Sequence, residues 1–203
     1  MATQDERTAN TTGRILAAAR SLFLSRPYAD VTTDLIARAA EVTKGGLYHH
    51  FPSKERLYVT MMLGDLDSKR RLFAGAVDME GTCRERLARL TRDFLELPEE
   101  EGQLIRLVRR DINTFRGADR DRLVRAYQRA LPEQVEAIVN DGIADGELAP
   151  ADPRLLSWSF VALVEIVIGD YAMKTLGDVD SRLDHVLDLF FEGAAAVPAG
   201  VMA

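Results

Sequence analysis

Two short helix signals separated by a tight turn constrain this chain more than any other feature. In "VTTDLIARAAEVTKGGLYHHFPSKERL", residues 31–57, Thr32 or Thr33 stands before the apolar set Leu35, Ile36, Ala39 and Ala40. Thr43 stands before a second set holding Leu47 and Phe51, and Pro52 closes it. A threonine hydroxyl ahead of an apolar helical pattern satisfies the first free amides, and proline cannot continue a helix. The stretch predicts helices over 33–40 and 43–51 joined by a turn of two or three residues, a helix-turn-helix. Ser53 then opens another helix at Lys54.

The remaining sequence carries helical signals throughout. Thr11 or Thr12 is expected to cap a first helix with Ile15, Leu16, Ala19, Leu22 and Phe23 on its apolar face, ended by Arg26-Pro27. Longer helices are expected over roughly 54–77, 83–97, 101–116 and 118–145, the last interrupted near Pro132, then 152–175 and 180–196. No run alternates apolar with polar residues, and no hairpin dipeptide lies between β-branched segments. The expected fold class is all-α, with a three-helix head over 1–53 and a larger helical body over 54–203.

Composition excludes several classes. At 203 residues, 47% hydrophobic and 29% charged, the chain reads as a soluble globular protein. The N-terminus "MATQDERTANTTGR" lacks the apolar core of a signal peptide. The run "LLSWSFVALVEIVIG", 155–169, contains Glu165 and is too short to span a bilayer. Cys83 has no second cysteine to pair with, which fits a reducing compartment. These features together point to a cytoplasmic protein without a membrane partner. The net charge of −6 is unevenly spread: residues 1–60 hold eight Lys/Arg against six Asp/Glu, a net of +2, leaving −8 on the rest. A basic head on an acidic body is the pattern expected of a nucleic-acid binder.

The adjacent His49 and His50 do not make a metal site, because neighbouring helical residues diverge by about 100° and no acidic or cysteine partner lies a turn away. Gly45-Gly46 follows no strand and no GKS/GKT occurs, so a nucleotide loop is not indicated either. No metal or other cofactor is expected. A helix-turn-helix gives these residues a common purpose. Its second helix enters the DNA major groove with its N-terminal end nearest the bases. Gly45 and Gly46 let that helix press close, and the amides at the Thr43 end turn their partial positive charge toward a phosphate. Lys44, Tyr48, His50 and Lys54 supply donors for phosphate oxygens, while His49 projects toward base edges.

Residues 31–57 closely resemble the DNA-binding segment of TetR-type (tetracycline-repressor-like) transcriptional regulators. The resemblance rests on the Thr-Thr opening the second helix, the internal Ile-Ala, the Leu-Tyr-x-His-Phe ending the third, and the following Ser-Lys-Glu; "RILAAARSLF", 14–23, matches the first helix. It implies phosphate contacts from Thr33, Thr43, Tyr48, His50 and Lys54, with Lys44, Gly45, Gly46 and His49 facing the groove. Two positions depart from the family's pattern: Arg26-Pro27 and Glu41 stand where glycine is usual.

For the body, the resemblance implies a ligand-binding and dimerisation domain. The helix expected over 152–175 is apolar nearly all round, so it and 180–196 are the expected homodimer surface. Phe115, Tyr127, Trp158 and Tyr171, with Met61 and Met62, are the candidate contacts to a small-molecule effector. Arg106, Arg109 and Arg110 form a solvated face, or, turned inward, a site for an effector's carboxylate or phosphate. The expected function is a ligand-responsive regulator, foremost a repressor, that binds a palindromic double-stranded operator as a dimer and is released by its effector. A helical enzyme is the alternative, but no G-x-S-x-G, H-E-x-x-H or Cys/His nucleophile pairing supports it.

Overall fold

In the computed structural model, which describes residues 3–194, the regular elements are helices and no strand occurs among the described residues. In chain order they are α1 (Gln4–Ser25), α2 (Thr33–Ala39), α3 (Lys44–His50), α4 (Lys54–Asp78), α5 (Cys83–Leu95), α6 (Glu99–Asp111), α7 (Gly117–Ala130), α8 (Pro132–Ala144), α9 (Pro153–Val167), α10 (Asp170–Leu176) and α11 (Val179–Ala194). Single 3-10 turns lie at Tyr28–Asp30 and Ile112–Thr114.

Three helices differ most from the sequence reading. Helix α1 starts at Gln4, not after Thr11 or Thr12, because Thr3 and Glu6 form a reciprocal capping box: Glu6 N donates to Thr3 Oγ1 at 3.2 Å and Thr3 N to Glu6 Oε2 at 2.7 Å. Thr11 and Thr12 sit inside the helix and donate back to the Arg7 and Thr8 carbonyls. Of the two cap candidates for α2, Thr32 takes the position and accepts from Leu35 N, as the sequence allows, so Thr33 is already helical. Helix α6 starts at Glu99 and ends at Asp111, followed by the 3-10 turn, instead of running over 101–116. The helix expected over 152–175 is two helices bent by 74°, broken where Gly169 takes an extended conformation and caps α10. The break at Pro132 stands where the sequence places it.

The chain forms two compact units. The first comprises Met1–Leu66 with Glu99–Val124, and the second Asp67–Pro98 with Arg125–Ala203. In the first, α2 packs on α1 and α3 on α2, with Ile15, Ala19 and Phe23 of α1, Ile36 and Ala37 of α2 and Leu47 of α3 all buried. An aromatic cluster fills the other side. The rings of Phe23, Tyr28, Tyr58 and Phe115 have centroids 4.8–5.7 Å apart, mostly edge to face. Asp111 beside it is satisfied: it accepts from Tyr58 Oη at 2.9 Å and from Arg110 at 2.7 and 2.9 Å. Burial and Asp111 push the Tyr58 phenol far above its usual range, so it remains a donor.

The second unit is built on α8 and α9, with α5 and α11 packed against them. Val135, Ile138 and Val139 of α8 and Phe160, Val161 and Val164 of α9 are buried where these two helices pack together. Buried Arg86 of α5 caps the end of α4, donating to the Ala76 and Val77 carbonyls at 3.4 and 2.6 Å, and pairs with Asp141 of α8 at 2.7 Å. No single helix among the described residues is long and apolar enough to cross a membrane; only the bent α9–α10 pair reaches that length together.

Close approach of α5 and α8 depends on Gly142. A Cβ there would stand 2.7 Å from Cys83 Cβ and 2.8 Å from its Sγ. Cys83 Cβ is fixed to the backbone and cannot rotate away, so one helix must move. Gly142→Ala should therefore cost about 1–3 kcal/mol, the usual penalty for overpacking, despite alanine's better helix propensity. Urea unfolding checks it, and an unchanged or higher midpoint would refute the close-packing account.

Candidate nucleic-acid interface

Helix α3 divides cleanly by face. Lys44, Gly45, Tyr48 and His49 are exposed, Gly46 and His50 are half-buried, and Leu47 is buried with Phe51 just beyond the helix. At about 100° per residue the four exposed positions share one arc of the helix and the others share the opposite arc. Leu47 and Phe51, the apolar set of this helix, are the buried ones. Thr43 caps the helix through its Oγ1, which accepts from Gly46 N at 3.0 Å.

The side chains of this face are already partly paired. Tyr48 Oη lies 3.2 Å from Thr33 Oγ1, which joins the two expected phosphate contacts into one hydroxyl pair. Lys44 Nζ is 2.9 Å from Asp34 Oδ1 and 3.1 Å from Oδ2. The hydrogen bond to Asp34, together with its charge, raises the Lys44 pKa. His50 is fastened to α1, its Nδ1 lying 3.0 Å from Thr12 Oγ1, while His49 stays on the outward arc. Lys54 donates to the Tyr28 carbonyl at 2.8 Å, and its ammonium lies 4.1 Å from the Tyr28 ring centroid. Burial lowers the Lys54 pKa against the opposing charge of Asp30. The Tyr28 hydroxyl is pushed up to about 12, first by burial and then by Glu55 and Asp111.

The turn that aims α3 follows the Schellman pattern. Val42 N donates to Ala37 O at 3.0 Å and Glu41 N to Arg38 O at 3.1 Å, with Glu41 at φ +53°. The C-terminus of α8 closes identically, Glu147 N to Gly142 O and Gly146 N to Ile143 O, but there the left-handed residue is Gly146 at φ +77°. Arg14 compensates the first turn. Its guanidinium donates to Ala40 O at 2.7 and 3.2 Å and to Glu41 O at 2.9 Å, pinning the turn to α1. Nothing in the sequence singles out Arg14, Tyr28 or Asp34, and it offers Thr12 only as a helix cap. Their contacts lie 10–38 residues apart, and no local spacing signals them.

The effector candidates lie apart. Met62 and Phe115 are core residues of the first unit. Tyr127 is half-buried in the second, its Oη 3.3 Å from Glu165 Oε1. Trp158 is 48% exposed with Arg154 over its ring, and Tyr171 is 83% exposed. Arg106 and Arg110 are exposed, as a solvated face requires; the side chain of Arg109 lies outside the described residues.

Two family models match the chain: bacterial regulatory proteins of the tetR family over residues 15–61, and the tetracyclin repressor-like C-terminal domain over residues 80–169. The chain belongs to the TetR family. It is thus a ligand-responsive transcriptional regulator with a helix-turn-helix head and a helical C-terminal domain. Among relatives, it is 25% identical over 157 residues to YhgD of Bacillus subtilis, an uncharacterized HTH-type transcriptional regulator, covering 77% of this chain and 82% of that one. It is 25% identical over 138 residues to the transcriptional repressor KstR2 of Mycobacterium tuberculosis, covering 68% and 69%. The fold is shared with AibR, solved in complex with isovaleryl coenzyme A and operator DNA, at TM-score 0.76 and 22% identity over 89% of this chain and 98% of that one.

Glu41→Gly tests how much strain the turn holds. A left-handed non-glycine residue costs about 1–3 kcal/mol, and glycine's added freedom in the unfolded chain takes back about 0.5–1 kcal/mol. The variant should be stabilised by about 1 kcal/mol, read as a higher denaturation midpoint at unchanged slope. A lower midpoint would show that the glutamate side chain contributes more than its backbone costs.

Proposed function

We propose that this regulator is a cytoplasmic repressor that binds a palindromic operator as a homodimer and leaves it when a small molecule occupies its C-terminal domain. The observation that carries the DNA reading is the outward arc of α3. It gathers Lys44, Gly45, Tyr48 and His49 on one surface, with Thr33 and Thr43 beside it. On this reading the head spans 1–53. Tyr48, Thr33, Thr43 and Lys54 meet phosphates, and Lys44 and His49 meet base edges across the gap that Gly45 and Gly46 leave. Lys54 has three donor positions and spends one on Tyr28, so two remain for a phosphate. His50, tied to Thr12, positions α3 on α1 as well as bordering the phosphates.

Dimerisation is supported by an exposed apolar stripe. Leu155 is 62% exposed, Trp158 48% and Ile166 63% on α9, with Ala162 between them, and Leu189 of α11 is 52% exposed. Spacings of three or four residues put the α9 positions on one face, and water-exposed apolar rows of this kind mark protein interfaces. A symmetric dimer would present two heads about 34–36 Å apart to successive major grooves. Trp158 thereby moves from effector contact to dimer contact. Tyr127 remains an effector candidate in the second unit, and Met62 and Phe115 remain separate candidates in the first. Isovaleryl coenzyme A, held by AibR, is the first ligand to test, and an effector would act through α4, whose residues belong to both units. A ligand changes DNA affinity only as far as it binds the two states unequally.

Two variants test the reading without disturbing the core. Gly45→Val should be absorbed by the fold, since nothing lies within 4 Å of a Cβ there, whereas Gly46→Val would press on Thr43 Oγ1 at 3.1 Å. Affinity of Gly45→Val for an operator selected from random duplexes should fall at least about tenfold, roughly 1.4 kcal/mol; undiminished binding would remove α3 from the groove. Leu155→Glu combined with Ile166→Glu should yield a folded monomer by sedimentation at micromolar concentration, with the wild type dimeric. A monomeric wild type, or a variant that stays dimeric, would overturn the assigned surface.

A further inference from the structure

Lys44 sits in the first turn of α3, where no acidic side chain accompanies it. A cation at a helix N-terminus opposes the helix dipole, so Lys44 gains nothing from its own helix. Its partner comes from the first turn of α2, where both Asp34 carboxylate oxygens lie within 3.1 Å of the ammonium. The two side chains are 57% and 52% exposed, and exposed pairs of this kind contribute little to folding stability. Asp34 nevertheless places a negative charge on the surface that is to face a polyanion. Thr33, its neighbour, is the residue paired with Tyr48, which puts the carboxylate beside the expected phosphate contacts.

A carboxylate here does two things at once. It repels backbone phosphates wherever the protein sits on DNA. It also fixes the end of a flexible lysine that, released, would neutralise whichever phosphate was nearest. We propose that Asp34 is a specificity-determining residue, holding the Lys44 ammonium off the phosphate backbone so that it serves base-edge recognition. Random-sequence DNA then loses a phosphate contact on each head, while an operator with an acceptor at the right base edge loses none. This rests on the DNA-binding reading above and adds a residue to it.

The test uses the full-length protein, a random-sequence 30-base-pair duplex and a selected operator, with affinities measured against salt. Asp34→Asn should bind the random duplex about tenfold more tightly. It should also steepen the log-affinity against log-salt slope by about 1.8 for a dimer, at roughly 0.9 per phosphate gained. Its preference for operator over random duplex should fall. Adding Lys44→Gln should return the slope to the wild-type value. If Asp34 were only a background charge, Asp34→Asn would strengthen binding equally with and without Lys44, and the inference would fail. If Asp34 served only the first turn of α2, the variant would melt earlier with its salt slope unchanged, and that too would overturn it. A wild type that bound neither duplex would sink the DNA-binding reading itself; a binding wild type with an indifferent Asp34→Asn would sink this inference alone.

Discussion

The turn over Ala40, Glu41 and Val42 decides where α3 points, and the DNA contacts proposed for that helix follow from it. Helices of seven residues are too short to persist alone in water. Their geometry is imposed by what they pack on and by the turn between them. That turn leaves carbonyls unsatisfied at the end of α2, and the Arg14 guanidinium binds two of them. The hydrogen bonds offset the left-handed backbone of Glu41, so one arginine on α1 stands in for the glycine usual at this position.

A second constraint lies at the root of α4. Lys54, the expected phosphate contact, is braced by the Tyr28 carbonyl and ring, and Tyr28 is one face of the cluster with Phe23, Tyr58 and Phe115. Phe115 follows the 3-10 turn at Ile112–Thr114, and Asp111 binds Tyr58. The end of α6 is thus part of the same compact unit as the recognition helix. A charged group used at the surface is oriented by an apolar cluster assembled from segments far apart in sequence.

Helix existence was legible in the sequence because each helix carries an apolar face and local punctuation. Thr43, Pro52 and Pro132 mark boundaries that the structure keeps. The failures were also local. The capping box at Thr3 and Glu6 lies before the apolar pattern begins, so the periodic signal started late, at Thr11 and Thr12. Across Gly169 the residues stay apolar on both sides, and composition alone gives no sign of the 74° bend. Outward and inward positions of α3 followed from helical spacing around Leu47 and Phe51. The Lys44–Asp34, His50–Thr12 and Arg14–Ala40 contacts did not, because each joins different helices and depends on how they are packed.

The division of α3 into two arcs has a consequence for how such a regulator changes over evolutionary time. Residues that hold the helix in place, Leu47 and Phe51, are buried, while Lys44, Gly45, Tyr48 and His49 touch little of the protein's interior. Surface substitutions away from special features usually alter stability by less than about 0.5 kcal/mol. The outward arc can therefore drift through many sequences at nearly constant folding free energy. On the proposed DNA reading, a duplicated copy of this chain acquires a new DNA target by point changes on that arc while its scaffold stays the same.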